Sequence, residues 1–179
     1  PFSFFNVLSY NPPFCMFSAG GHAEDHEDKD TVANIKETGE FVYNMATWDQ
    51  REQMNQTGLI IDREQDELAQ TGLEGIPSNM VAPPRIKGSP VQFECKLHEI
   101  VVLPGDSKMF VHHAVFGQVV GVHIADEAIS EDGIFEVARV RPIARLGYKD
   151  YSWVDETNMF QMEKRTPEEL IGKPPQAAE

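Results

Sequence analysis

The chain has 179 residues, enough for a domain with a substantial hydrophobic core, and its 41% apolar and 25% charged content is that of a globular protein. Twenty-nine acidic against fifteen basic residues leave a net charge of -14, which repels polyanions and argues against nucleic acid or an anionic membrane surface as partner. No apolar run reaches the ~18 residues of a spanning helix, and Cys15 and Cys95 lie isolated in apolar surroundings, as buried free thiols of a reducing compartment do.

In chain order, Phe2 to Leu8 reads as extended, and Asn11-Pro12-Pro13 breaks it before a second apolar run, Phe14 to Phe17. Gly20-Gly21 opens a polar, acidic loop. Asp30 or Thr31 is placed to cap a short helix with Val32 and Ile35 on one face and Gly39 as its stop. Phe41 to Ala46 reads as a strand. Asp49 with Glu52 predicts a second helix start by the capping-box pattern, and a third short helix around Arg63 to Gln70 ends at Gly72. Gly75 to Pro90, with its prolines and little periodicity, reads as an ordered loop crossing the surface.

Val91, Phe93, Cys95 and Leu97 alternate with Gln92, Glu94, Lys96 and His98, which predicts a half-buried strand with one wet face. Pro104-Gly105-Asp106 is a turn, so a hairpin with Met109 to Val115 follows. Phe116 to Ile124 continues as a long apolar strand in which Gly117 and Gly121 suit a bulge or a barrel corner. Arg139 to Gly147 is a further short strand running into a loop with Tyr148, Tyr151 and Trp153. Thr166, Pro167 and Glu169 mark a last helix start. With no strand-helix alternation on glycine-rich turns, a doubly wound sheet is disfavoured, and a mainly β, closed antiparallel barrel with short helices is expected.

Two segments carry chemistry. Lys29-Asp30-Thr31 before a helix offers an ammonium, a hydroxyl and helix-terminal N-H groups, all of which stabilise a phosphate, although a capped surface helix that follows a lysine gives the same pattern. Phe2, Phe4 and Phe5 with Ser3, Asn6 and Ser9 mix aromatic faces with small polar groups, as a flat heteroaromatic ring requires; an ordinary core strand with polar outward positions shows the same composition. His22 and His26 among acidic residues, with His112, His113 and His123 on strands, form no recognised ligand spacing, so no metal site is expected. A phosphate-cradling GKS or GKT loop and a GxGxxG turn are absent, and no nucleophile triad can be built. Any enzymatic reactivity then belongs to a bound cofactor.

The segments PFSFFNVLSYNPP, KDTVANIKETGEFVYN, PPRIKGSPVQFEC, GQVVGVHI and RPIARLGYKDY, in this order from Pro1 to about Trp153, resemble the flavin reductase-like family of FMN-binding split-barrel proteins. The resemblance implies a single domain over residues 1–179: a homodimeric, cytoplasmic, six-stranded antiparallel Greek-key split barrel. An N-terminal strand would precede Pro1, and residues 154–179 would be a C-terminal extension. It implies bound FMN and NAD(P)H as a transient electron donor, with hydride passing to flavin N5 and no indispensable proton-transfer side chain. The acceptor would be free flavin, a partner monooxygenase, a small oxidised substrate or a metal complex.

By position, Phe2, Ser3, Phe4, Phe5, Asn6 and Ser9 would lie along the isoalloxazine and ribityl chain. Ser18, Lys29 and Thr31 would hold the phosphate with Asn34 nearby, and His113, Arg145 and Tyr148 would serve the rim or a partner subunit. Carboxylates in the acidic stretch before Lys29 would have to point away from the phosphate or be offset. The alternatives are a flavin-binding or storage module without turnover, and a barrel that has lost its cofactor and serves as a dimeric scaffold.

Overall fold

The computed structural model describes residues 1–20, 28–59, 61, 65–107 and 110–166. It is mainly β. Strands β1 (Phe5–Tyr10), β2 (Pro13–Gly20), β3 (Glu40–Asn44), β6 (Val91–Leu103) and β7 (His112–Ile124) form one antiparallel sheet in the order β1-β2-β7-β6-β3. The short pair β4 (Gly75–Ile76) and β5 (Arg85–Ile86) and the hairpin β8 (Ile143–Gly147) and β9 (Asp150–Trp153) stand beside it. Helices are short: α1 (Asp30–Thr38), α2 (Arg51–Gln56), α3 (Glu67–Thr71) and α4 (Val137–Val140). The sheet thus holds five strands among the described residues, where six were expected in the barrel.

The core follows from strand alternation. On β2, Cys15, Phe17 and Ala19 point inward, and Phe41, Cys95, Val115 and Val119 of neighbouring strands meet them. Val32 and Ile35, on one face of α1, close this layer. Gly117 makes the closure possible. A Cβ there would lie 2.4 Å from the Phe41 ring and 3.2 Å from Cys95 Cβ, so only a residue without a side chain lets Phe41 reach across β7. Beside it the Cys15 and Cys95 sulfurs meet at 3.7 Å as free thiols, both fully buried.

Helix α1 starts one residue earlier than its side chains suggest. The Lys29 carbonyl accepts from the Val32 and Ala33 N-H groups at 2.8 and 3.0 Å, so Lys29 is the cap and Asp30 already lies in the helix. Gly39, at φ 72°, ends it as expected, and its N-H bonds the Ile35 carbonyl. The Asp49–Glu52 capping box does not form. Asp49 instead accepts from Arg141 at 2.6 Å, a partner 92 residues away, and α2 begins at Arg51 behind Gln50. In α3 the cap is Asp66, which accepts from the Leu68 N-H, and Gly72 closes the helix at φ 71°. The expected start near Arg63 falls on residues outside those described, as do the His22–His26 stretch and the helix after Thr166.

The face of β6 expected to be wet is partly dry. Glu94 is fully buried and Gln92 nearly so, because residues 77–86 fold over them and supply partners. The Glu94 carboxylate accepts from the backbone N-H groups of Asn79 (2.9 Å) and Met80 (2.5 Å), lies 2.5 Å from His123 Nε2, and has the Arg85 guanidinium at 4.0 Å. Burial alone would raise its pKa. The two N-H donors and His123 overcome this and hold it below the usual carboxylate range. The proline-rich loop is thus fastened from beneath by one acid, with Glu40 and Asn44 adding bonds to the Ala82 and Ile86 N-H groups.

The two expected strands on either side of Phe116 are one strand, β7. In the last part of the described chain, residues 137–140 are helical rather than extended. The stretch read as a loop around Tyr151 and Trp153 is strand β9, paired with β8.

Candidate functional site

A cleft of about 950 Å³ opens beside the first turn of α1 and the end of β3. Pairing of Phe5 with Phe17 across β1 and β2 brings Phe5 inward, and it stacks on Tyr43 of β3 with ring centres 4.1 Å apart and planes 10° from parallel. Tyr43 continues to Phe93 at 5.1 Å, and Phe2 rests on Phe17 at 4.9 Å. The result is a wall of aromatic faces, part of which is the core itself. Burial, with the neighbouring Cys15, pushes the Tyr43 phenol up, so it remains neutral and a hydrogen-bond donor.

The polar end of this cleft is α1. Thr31 lines it, and the Lys29 ammonium stands 5.9 Å from the Phe2 ring centre. Glu67 and Arg145 are charged side chains on the same lining. Burial raises the Glu67 carboxyl, and the nearby Asp30 and Asp66 add to the rise.

A second cleft, of about 580 Å³, lies on the outer face of the same sheet. Asn6, Met16, Ser18 and His112 face it because they alternate with the inward residues of β1, β2 and β7. The Ser18 hydroxyl and His112 Nδ1 are 3.2 Å apart, and the Phe4 ring lies 6.1 Å from the imidazole. His112 lies flat against Gly20, where any Cβ would come within 2.0 Å of the ring. Ser3 and Phe5 line both clefts. The stretch from Ser3 to Phe5 is their common wall, fixed to β2 by the bond from the Ser18 N-H to the Phe4 carbonyl at 2.9 Å.

The residues singled out in the sequence therefore divide. Phe2, Ser3, Phe5, Thr31 and Arg145 line the large cleft; Ser3, Phe4, Phe5, Asn6 and Ser18 line the outer one. Lys29 is at the α1 end, and Asn34 is exposed one turn along that helix. Ser9 lies in neither cleft and donates to the Pro12 carbonyl, shaping the β1–β2 turn. His113 is buried, with Nε2 3.4 Å from an Asp28 carboxylate oxygen. Tyr148 is 92% exposed at a positive φ of 48°, and its carbonyl accepts from Arg145.

Sequence reasoning missed Tyr43, Glu67 and His112. Tyr43 could have been found from the Phe41-x-Tyr43 alternation on β3, whereas Glu67 enters only through the packing of α3. Among the described residues no three His, Cys, Asp or Glu side chains converge as a metal-binding group.

The fold is an antiparallel barrel with an aromatic cleft and a helix terminus at its rim. Residues 1–148 match the family model described as "Flavin reductase like domain", and the chain belongs to that family. An uncharacterised protein from Aquifex aeolicus is 38% identical over 151 residues, covering 84% of this chain and 74% of the relative. Among solved structures, nitrilotriacetate monooxygenase component B from Bacillus cereus superposes with a TM-score of 0.81 at 28% identity, covering 90% of this chain and 78% of that one. The 2-nitrobenzoate 2-nitroreductase of Pseudomonas fluorescens gives 0.77 at 29% identity, over 99% and 79%. The neighbouring folds are flavin reductase split barrels, and the chain is a flavin-related oxidoreductase of that family. Among the described residues no helix is long and apolar enough to cross a membrane.

Proposed function

We propose that this protein binds FMN and is an NAD(P)H-dependent flavin reductase. The observation that carries the reading is the junction of an aromatic wall with the start of α1: Phe2, Phe5 and Tyr43 on one side, Lys29 and Thr31 on the other. A volume of about 950 Å³ is at the upper end of ordinary cofactor pockets, which leaves room for a second ligand beside a flavin. When bound, FMN supplies the redox chemistry, its N5 taking a hydride from the nicotinamide.

The chain's own residues bind and orient. Aromatic faces and the small polar group of Ser3 suit the ring and its edge. Lys29, the Thr31 hydroxyl and the start of α1 suit the phosphate dianion, with Asn34 a further polar group one turn along that helix, whereas Ser18 faces the outer cleft. The neutral Tyr43 adds its ring to the wall and a phenol hydroxyl to the lining of the cleft. No side chain is assigned a proton-transfer step.

The exposed hairpin β8–β9, with Leu146 and Tyr148 turned to solvent, supports a homodimer in which Tyr148 reaches a second copy. Similarity to a monooxygenase component supports a partner monooxygenase as electron acceptor, and similarity to a nitroreductase supports a small oxidised acceptor. Free Cys15 and Cys95 agree with a reducing cytoplasm.

The test is anaerobic mixing of the flavin-loaded full chain with NADH and, separately, NADPH. Loss of the oxidised-flavin absorbance with either nucleotide is the expected result. A flavin that stays oxidised with both would leave a binding or storage protein in place of a reductase.

A further inference from the structure

We propose that Lys36 is a charge-compensating residue for the phosphate end of the cleft, cancelling the carboxylate of Asp28; the inference rests on the FMN reading above. Asp28 directly precedes Lys29, so its charge sits one residue from the ammonium assigned to the phosphate. A bare carboxylate there opposes a dianion.

In the structure that carboxylate is held from two directions. Lys36, in the last turn of α1, places its ammonium on Oδ2, and Nε2 of the buried His113 approaches Oδ1 at 3.4 Å. The Asp28 side chain is only 24% exposed, so solvent and salt screen it less than they would a surface charge. Its field has to be cancelled locally. Lys36 does this with an ammonium spent on Asp28, so that Asp28 does not add to the charge of the first-turn Asp30 against the Lys29 ammonium at the start of α1. His113, which the sequence placed among cofactor contacts, acts here as the inner wall against which the acid is held.

The role is one of field and not of contact, which makes it separable from structure. The measurements are FMN and riboflavin dissociation constants, by flavin fluorescence at low ionic strength, for the full chain and for Lys36→Met, Asp28→Asn and the double variant. Lys36→Met exposes the acid's charge and is expected to weaken FMN roughly three- to tenfold while riboflavin changes less than about twofold. Adding Asp28→Asn, which keeps an acceptor but removes the charge, is expected to return FMN to within about twofold of wild type. A purely structural ion pair also predicts rescue in the double variant, but with equal losses of FMN and riboflavin in Lys36→Met, so the selectivity for FMN is what separates the two.

Equal losses for the two flavins in Lys36→Met, or no rescue by Asp28→Asn, would overturn the inference. Lys29→Ala, measured alongside, separates the two levels. Equal losses of FMN and riboflavin there remove the phosphate reading itself, whereas a selective FMN loss there with a non-selective Lys36→Met removes only the role of Lys36.

Discussion

Lys29 serves the candidate site through both its backbone and its side chain. Its carbonyl receives the first two N-H bonds of α1, and its ammonium lies over the Phe2 ring. Lys29→Ala keeps the first and removes the second, so the fold should survive while FMN binding weakens by roughly ten- to a hundredfold, the scale of one charge-assisted hydrogen bond. Riboflavin, which lacks the phosphate, should bind as before; competition titration of the two flavins reads the difference. Thr31→Val should show the same selectivity with a smaller loss. Glu67→Gln is expected to tighten FMN by a few-fold, because it removes a carboxylate from the lining of the cleft proposed to hold a dianion. The start of α1 at Lys29-Asp30-Thr31 was legible to within a residue because helix starts are written locally. The place of Tyr43 in the wall was not, since it depends on how distant strands pair, and the grip of Lys36 on Asp28 was not, since it depends on how the residues before α1 turn back along the helix.

At the scale of elements, β7 and β6 carry the most exacting contacts. Gly117→Ala drives a methyl into the Phe41 ring, and the ring has the buried Cys15–Cys95 layer behind it; a loss of about 1–3 kcal/mol is expected in urea unfolding. The same layer makes the thiols inert. The hydrogen bond with Cys15, together with burial, pushes the Cys95 thiol up, while the same bond lowers Cys15; both sulfurs are shut off from solvent, so native protein should resist alkylation at both cysteines until denaturant is added. Glu94 sets an acid limit. Because its folded pKa lies below its unfolded value, its contribution is present above that value, about 4.5, and is lost as pH falls through the folded one. Melting temperature should therefore drop in that window. Glu94→Gln should flatten the drop while costing about 1–3 kcal/mol at neutral pH. The glycine was legible as a place where β7 needed room. The strand alternation misassigned Gln92 and Glu94, because period-two patterning reports which residues share a face but not what later covers it, and here a proline-rich loop brings its own N-H donors to an acid.

For the whole molecule, a net charge of -14 opposes every anionic nucleotide that approaches. Raising ionic strength over the range where screening sets in should lower the apparent KM for the nicotinamide nucleotide, and more for NADPH than for NADH, as steady-state assays at two salt concentrations will read. The mainly β architecture was legible from long alternating runs and the absence of a doubly wound pattern, and the family from five segments in order. The arrangement of two clefts was not, because it needs the inner and outer faces of one sheet to be seen together. That arrangement has its own consequence. Ser3 and Phe5 border both clefts, so two guests, one on each side, would rest on a single partition. Whatever factor a flavin imposes on the affinity of an acceptor, the acceptor must impose equally on the flavin.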